Sequence, residues 1–291
     1  MIKRYKLIKK IQNISIVILV ILSIFLFKSL INSKSSSTNP NEMKVHFIDV
    51  GQGDSILIQV NYKNILIDSG PKDEKDKLVK YLNSLNIHQF DYVIATHPHE
   101  DHIGNMAYII NNYKVLNFYS PKIDNNTTSF ENMAEALSRK NLKIKVLKAN
   151  ASTINLGENA LVEVFSPNLD YYDNLNNYSP IIKISYGHNS FLFTGDAEEE
   201  IEQEIITNNF NLKSDVLKVA HHGSSTSTTK SFLDSVKPKI AVISVGKNNS
   251  YGHPTKDTLN KLKESKVYRT DINGNIVITS DGNTIKTSLK W

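Results

Sequence analysis

Three histidines and one aspartate stand within six consecutive positions of the segment IATHPHEDHIGN, residues 94–105. They are His97, His99, Asp101 and His102, in a chain that has only nine histidines. Imidazole nitrogens and carboxylate oxygens are ligands that suit zinc, and four of them exceed what one metal ion with an open coordination position needs. The segment therefore predicts the beginning of a site for two metal ions.

Further candidate ligands follow other apolar, strand-like segments. SFLFTGDAEEE leads to Asp196, and DVLKVAHHGSS leads to His221 and His222. His253 stands in SYGHPTKD, just before a predicted helix. Taken alone, Asp196 could equally cap the helix that follows it. Because three strands end in candidate ligands, we expect these side chains to meet at one edge of the sheets.

The patterns around these residues predict the elements that hold them. KVHFIDV, SILIQV and NILIDS are strand-like and closely spaced, which predicts a meander. EKDKLVKYLNSL, FENMAEALSRK and AEEEIEQEII have helical spacing, and another helix is expected from about Ile103. Strands come in runs rather than in strict alternation with helices. This order favours an α/β domain of two sheets packed face to face with helices outside, over a doubly wound parallel sheet.

Composition excludes several kinds of site. The chain has no cysteine, which excludes disulfides, thiolate zinc sites and a cysteine nucleophile. The net charge of +5 comes from the N-terminus, because residues 1–34 hold seven basic residues and no acidic one. The remainder has 27 basic against 29 acidic residues, a net charge of −2. The basic pI is therefore poor evidence for a nucleic-acid-binding domain.

The N-terminal composition predicts a membrane anchor. We predict a basic cytoplasmic tail (1–10), a transmembrane anchor (11–31), a flexible linker (32–42) and one domain that carries the candidate ligands (43–291). The uncharged run IQNISIVILVILSIFLF reaches the minimum of about 17 residues for a span. Positive charge before it predicts a single-pass protein with its domain outside the cell. The alternative is secretion after signal cleavage, although FKSLINSKSSS offers no clear cleavage site.

Several motifs, in order, resemble one known family. HPHEDH matches the His-x-His-x-Asp-His motif of the metallo-β-lactamase superfamily. HFIDVGQGDSILIQ, ILIDSG, FTGDAE, LKVAHHGSSTS and YGHP resemble the branch that contains the extracellular hydrolase domain of the competence protein ComEC. The resemblance extends from about Val45 to the C-terminus. It implies the metallo-β-lactamase fold, which is an αββα sandwich of two mixed β-sheets flanked by helices, and metal-dependent hydrolysis.

The resemblance also implies roles for individual residues. The implied metal ligands are His97, His99, Asp101, His102, Asp196 and His222. The first two would hold one ion, Asp196 would bridge, and the others would hold the second ion. His222 is favoured over His221 as the later ligand, and that choice stays open. His221, His253 and Asp101 are the catalytic candidates, and Asp68 is expected to orient an imidazole from behind the ligands.

One departure from the family pattern affects the first metal ion. Many members have a further histidine some way before the bridging aspartate. This chain has LNNYSP there instead, with no histidine. In this respect it resembles the ComEC-like branch, which also lacks that histidine. An asparagine oxygen or water would then complete the first site, and Asn177 is the supporting candidate. Two zinc ions are expected, with manganese as the alternative, and the number of filled sites stays open.

Together with the resemblance, which implies a phosphodiester substrate, these observations predict a membrane-tethered extracellular phosphodiesterase that uses a hydroxide activated by two metal ions. The resemblance suggests nucleic acid or choline-phosphate groups of a cell surface as substrates. One alternative is a thioester or lactone hydrolase, since a fold does not fix the substrate. The other is a DNA-uptake accessory protein that binds DNA without essential cleavage. The sequence carries no signal for oligomeric state.

Overall fold

The computed structural model describes residues 15–16, 18–20, 22–23, 41–151 and 153–290. The predicted tail and most of the predicted anchor and linker lie outside these residues, so the anchor stays a prediction. Within the described ranges, no helix combines the length and apolar character that crossing a membrane requires.

The strands of the described chain form two large mixed sheets and one small parallel ribbon. In chain order they are β1 (Met43–Phe47), β2 (Ile56–Val60), β3 (Lys63–Ile67), β4 (Gln89–Phe90), β5 (Tyr92–Ile94), β6 (Lys114–Val115), β7 (Phe118–Ser120), β8 (Ile144–Val146), β9 (Ala160–Val164), β10 (Ile182–Tyr186), β11 (Asn189–Phe193), β12 (Val216–Lys218), β13 (Ile240–Ile243), β14 (Lys266–Arg269), β15 (Asn275–Ser280) and β16 (Ile285–Lys290).

The first sheet has eight strands in the order β16-β15-β1-β2-β3-β5-β7-β8, antiparallel from β16 to β3 and parallel from β3 to β8. The second has six strands in the order β14-β13-β12-β11-β10-β9, parallel from β14 to β11 and antiparallel from β11 to β9. Strands β4 and β6 form the ribbon. The predicted meander is confirmed in β1, β2 and β3.

Helices cover the outer face of each sheet. They are α1 (Lys75–Ser84), α2 (Glu100–Ile103), α3 (Met106–Asn112), α4 (Thr128–Arg139), α5 (Glu199–Thr207), α6 (Lys230–Val236), α7 (Lys256–Lys261) and α8 (Thr270–Asn273), with 3₁₀ turns at Lys72–Glu74, Leu175–Tyr178 and Ala220–Gly223. Helix α1 buries Leu78, Tyr81 and Leu82, the spacing of one helical face. The helix expected from about Ile103 begins earlier, at Glu100, and a second helix follows from Met106.

Alternation along β2 and β3 explains the layered core. Ile58 and Ile65 point into the cluster between the two sheets. Leu57 and Leu66 point the other way, into the cluster beneath α1, α3 and α4. Strands buried on both faces read as continuous apolar runs, because side chains alternate across a strand. The rings of Phe47 and Phe193, from opposite sheets, lie 6.4 Å apart in the central layer. The two mixed sheets with outer helices confirm the predicted sandwich.

Candidate metal centre

The predicted ligands come together where the parallel strands of both sheets end. The first sheet contributes His97 and His99 after β5, and then Asp101 and His102 from α2. The second sheet contributes Asp196 after β11, and His221 and His222 after β12. These side chains therefore meet at one edge of the sandwich, between the two sheets.

Residues with left-handed backbone conformation orient several of these side chains. Asp68, His221 and His222 have φ angles of 58°, 48° and 52°, in the left-handed region. That region costs a residue with a side chain roughly 1–2 kcal/mol, and such strain concentrates at functional sites. Gly195 has a φ of 50° and precedes Asp196, and a Cβ there would approach the Ser179 side chain to 3.0 Å. The turn after β11 therefore needs a glycine to present Asp196.

Asp196 is the central carboxylate. Its Oδ1 lies 3.3 Å from His102 Nε2, and its Oδ2 lies 3.5 Å from His222 Nε2. His222 Nε2 is also 3.2 Å from Asp101 Oδ2. One ligand atom from each of Asp101, His102, Asp196 and His222 lies within 4.8 Å of all the others. We call these residues the four-ligand group.

His97 and His99 form a separate pair beside that group. His97 Nε2 lies 3.0 Å from His99 Nδ1, and their rings are nearly perpendicular, at 81°. His97 Nε2 is 3.8 Å from Asp196 Oδ2, so the central carboxylate adjoins both sets. Among the described residues, neither histidine belongs to a set of three candidate ligands as compact as the four-ligand group.

Hydrogen bonds from behind fix the imidazoles of the four-ligand group. The Asp68 carboxylate lies 2.8 Å from His102 Nδ1 and also accepts bonds from the Thr96 backbone N–H (2.8 Å) and hydroxyl (2.7 Å). His222 Nδ1 lies 2.9 Å from the carbonyl oxygen of Ser244. Because an acceptor holds the proton on each Nδ1, each Nε2 is left to present a lone pair to the group.

The donor set fits a divalent cation. His102 Nε2 and Asp196 Oδ1 are buried and have no hydrogen-bond partner among the described residues. An unpaired buried polar atom costs about 1–3 kcal/mol, which a cation shared by both atoms would remove. Imidazole and carboxylate are also the ligand types expected for zinc. The four-ligand group therefore has both the chemistry and the unsatisfied atoms of a metal site.

The pKa shifts of the buried groups also favour a cation in the four-ligand group. Burial alone would lower the pKa of His102, but the Asp196 carboxylate and two others raise it well above its usual value. Burial would raise the pKa of Asp196, yet the His102 and His222 imidazoles hold it well below. Burial lowers the pKa of His97 well below its usual value, which favours the neutral form of this imidazole. The carboxylates around His102 therefore favour positive charge at this position, which a bound cation would supply in place of the proton on Nε2.

A buried ion pair that the sequence did not predict lies beside His222, the candidate ligand that follows β12 of the second sheet. Lys218 Nζ lies 2.6 Å from Asp54 Oδ2, and both side chains are almost fully buried. Asp54 Oδ1 lies 3.6 Å from His222 Nδ1. A lysine inside the apolar strand DVLKVA was the available signal, since a buried lysine needs a partner charge.

The catalytic candidates line an open pocket of about 350 Å³ over the centre. His221 Nε2 lies 3.8 Å from Asp196 Oδ2, and its Nδ1 lies 3.3 Å from Glu198 Oε1. The His253 ring is 5.7 Å from that of His221. Burial lowers the pKa of His253, whose Nδ1 is buried and unpartnered among the described residues. His222 therefore faces the four-ligand group, while His221 and His253 face the pocket.

Asn177, the candidate supporting residue of the first metal site, lies beside the start of α5. Its amide donates to Glu200 Oε2 at 2.6 Å and accepts from the Glu198 backbone N–H at 3.1 Å, rather than contacting an imidazole. The 3₁₀ turn that contains it directs the side chain toward the start of α5. Ser179, two residues later, is the one whose hydroxyl lies 3.3 Å from His97 Nδ1.

Comparison with known proteins agrees with this geometry. The model of the family described as the metallo-beta-lactamase superfamily matches residues 48–247. ComE operon protein 3 of Bacillus subtilis is 34% identical over 256 residues, 81% of this chain and 33% of that protein. Competence protein ComA of Neisseria gonorrhoeae is 26% identical over 87% of this chain and 34% of that protein. The predicted resemblance to the ComEC-like branch is therefore confirmed.

The chain spans about a third of the length of these curated relatives. Among solved structures, the metallo-beta-lactamase fold protein YhfI from Bacillus subtilis aligns with a TM-score of 0.56 at 13% identity, covering 82% of this chain and 99% of that one. At this identity the likeness concerns the fold alone.

Proposed function

Since the chain belongs to the metallo-β-lactamase superfamily, we propose that it is a phosphodiesterase with two metal ions, zinc or manganese. The fold is that of metal-dependent hydrolases and implies divalent metal binding by a His/Asp cluster. The finer assignments below are proposals for this chain.

The proposed ligands divide between two positions that share one carboxylate. Asp101, His102 and His222 would hold one ion, His97 and His99 would hold the other, and Asp196 would serve both. The observation that carries the proposal is that Asp196 Oδ2 lies 3.5 Å from His222 Nε2 and 3.8 Å from His97 Nε2. When bound, two neighbouring ions would lower the pKa of water and stabilise the charge on the attacking and leaving oxygens of a phosphodiester.

The pocket residues would manage the proton and the charge of the substrate. His221 and His253 are the two imidazoles of the pocket lining that the proposed metal ligands do not include, and either is able to donate a hydrogen bond to a phosphoryl oxygen or a proton to the leaving oxygen. Glu198, 3.3 Å from His221 Nδ1, would hold that ring with Nε2 toward the reacting group. Asp101 borders both the pocket and the four-ligand group, so its free carboxylate edge would orient the entering water.

A direct test combines metal content with substrate choice. The full-length protein, loaded with zinc or manganese, is assayed in parallel with bis(p-nitrophenyl) phosphate, a thioester and a lactone. We expect turnover of the phosphodiester and one to two bound ions per chain by elemental analysis. Turnover of only the thioester or the lactone would favour that alternative hydrolysis, and less than about half an equivalent of metal would reject the metal centre.

We further propose that the catalytic domain is tethered outside the cell by residues 11–31. Five basic residues precede the uncharged run, which supports this orientation. Protease added to intact protoplasts should remove the domain, and full protection would reject the proposal. Release of the domain into the medium without protease would favour signal cleavage.

A role in DNA uptake is a second proposal that the named relatives favour. Competence protein ComA is among the proteins similar to this chain. Loss of transformation in a deletion strain, restored by wild-type protein but not by an Asp196→Ala variant, would support an uptake role that needs cleavage. Restoration by both proteins would favour DNA binding without essential cleavage.

A further inference from the structure

We infer that Tyr251 forms a ring-binding subsite at the mouth of the metal pocket, and that the preferred substrate carries a planar ring, as a nucleoside phosphodiester does. This inference rests on the proposed phosphodiesterase function and names the class of its substrate.

The Tyr251 ring is both exposed and fixed beside the catalytic candidates. Its side chain is 69% exposed although it lines the same pocket as His99, Asp196 and His221. One face stacks on the His253 ring, at 5.8 Å between centroids and 26° between planes. The exposure therefore belongs to the opposite face and the edges, which are open to another flat group.

The loop that carries Tyr251 is held by a single asparagine. Asn249 Oδ1 accepts the backbone N–H groups of Tyr251 (3.2 Å) and His253 (3.1 Å). Its amide nitrogen donates to the carbonyl oxygens of Gly246 (3.0 Å) and His253 (2.7 Å). Because four hydrogen bonds fix the loop, the ring is presented before a ligand arrives, and binding needs little further ordering.

The position of the ring relative to the centre fits a substrate longer than a phosphate. Contacts lead outward from Asp196 to His221 at 3.8 Å, then to the His253 ring at 5.7 Å, and then to Tyr251 at 5.8 Å. A phosphate at the centre would thus be separated from a group stacked on Tyr251 by the width of the histidine pair. A nucleoside phosphodiester is a substrate of this kind, since its sugar stands between phosphate and base.

Two other tyrosines are comparably exposed and provide a contrast. Tyr62 (64%) stands in the turn between β2 and β3, and Tyr171 (71%) stands in the loop before the 3₁₀ turn at Leu175–Tyr178. Neither lines the metal pocket. Tyr62 is at the opposite edge of the first sheet, because β2 runs away from the site edge. It is therefore a matched control for exposure and residue type.

The kinetic test uses two esters with the same leaving group. Thymidine 5′-(p-nitrophenyl phosphate) and methyl p-nitrophenyl phosphate are compared with the metal-loaded full chain as wild type, Tyr251→Ala, Tyr251→Phe and Tyr62→Ala. Stacking on an aromatic side chain strengthens binding of a base by roughly ten- to hundredfold. We expect the ratio of kcat/KM for the thymidine ester over the methyl ester to fall by at least about tenfold in Tyr251→Ala, chiefly through KM. Phenylalanine should keep the ratio, as should Tyr62→Ala.

A binding test separates this inference from the proposed function. Calorimetry compares thymidine 5′-monophosphate with 2-deoxyribose 5-phosphate, which lacks only the base. The wild type should prefer the thymidine compound, and Tyr251→Ala should lose that preference. An equal preference in both proteins would overturn the subsite. Equal kinetic losses on both esters would mean that Tyr251 does not distinguish the base from the nitrophenyl ring that both esters carry, which would overturn the assignment of a nucleoside to it. Absence of turnover of either ester by the wild type would reject the phosphodiesterase, while the binding result would still decide the subsite.

Discussion

The two halves of the proposed metal centre are supported by different chemistry. In the first half, which holds His102 and His222, a buried carboxylate and a carbonyl oxygen fix the two Nδ1 atoms at 2.8 and 2.9 Å. In the second half, His97 Nδ1 faces two hydroxyls, those of Thr96 at 3.1 Å and Ser179 at 3.3 Å. We call these the carboxylate-supported half and the hydroxyl-supported half. Asp196 adjoins both.

This difference indicates unequal affinities for metal. A hydrogen bond to an ionised group is roughly twice as strong as one between neutral groups, and a carboxylate behind an imidazole makes it a better ligand. The carboxylate-supported half also has the more compact set of ligand atoms. We therefore expect the ion in that half to bind more tightly, and the hydroxyl-supported half to fill second.

The largest effect is expected from Asp196→Ala, because this carboxylate serves both halves. The variant should lose both ions and slow phosphodiester turnover by roughly a thousandfold, equivalent to about 4 kcal/mol of lost stabilisation. Elemental analysis and turnover are measured together, with the exposed loop residue Asp170→Ala as a control that should change neither. Retention of both ions and of normal turnover would contradict the two-metal proposal.

Replacing one imidazole in each half should separate the two ions. His222→Ala should lose the tighter ion, whereas His99→Ala should keep it and lose only the weaker one. Competition with a chromogenic chelator resolves the two equivalents, and turnover should fall by orders of magnitude in both variants. If His99→Ala lost the tighter ion instead, the hydroxyl-supported half would be the one with the higher affinity for metal, contrary to our expectation.

A smaller effect is expected from changing Asp68, whose carboxylate supports His102 in the carboxylate-supported half. Asp68→Asn keeps the shape of the side chain but removes the charge that His102 Nδ1 faces. Affinity for the tighter ion should fall by roughly 10- to 100-fold. The same chelator competition measures it, and circular dichroism verifies that the fold is intact. An unchanged affinity would show that the carboxylate does not support ligand binding.

The smallest effect is expected from changing Ser179, whose hydroxyl supports His97 in the hydroxyl-supported half. Ser179→Ala removes a neutral contact to His97 Nδ1 and the acceptor for the Asp196 backbone N–H. A net hydrogen bond of this kind contributes about 0.5–1.5 kcal/mol, so affinity for the weaker ion should fall by no more than about tenfold. A loss in Ser179→Ala that equals the loss in Asp68→Asn would remove the distinction between the halves.

The sequence predicted the local parts of this centre better than its long-range parts. His97 to His102 form a motif that a strand and the following helix position by themselves. The position of Asp196 beside this motif was predicted because candidate ligands follow the ends of three strands. The two-sheet architecture was predicted because strands come in runs along the sequence. The roles of individual ligands remain predictions that the metal measurements above would decide.

Support from distant residues was harder to predict. Ser179 and Asn177 stand in one short polar segment, and only the direction of its 3₁₀ turn decides which side chain reaches His97. The pairing of Lys218 with Asp54 depends on how the two sheets pack. The strand Phe118–Ser120 was not predicted, because three residues give too short a pattern. Tyr251 depends on a loop conformation that sequence periodicity does not encode.

The position of the four-ligand group between the sheets has a consequence for stability. Asp101 and His222 are separated by 121 positions in the chain and lie in segments that follow strands of different sheets. A cation bound to both would act as a cross-link across the sandwich, and its binding energy would contribute to keeping the sheets together. Free metal at a thousand times its dissociation constant would add about 4 kcal/mol to the free energy of unfolding. The amount of folded protein in a cell would then follow the supply of metal in the surroundings.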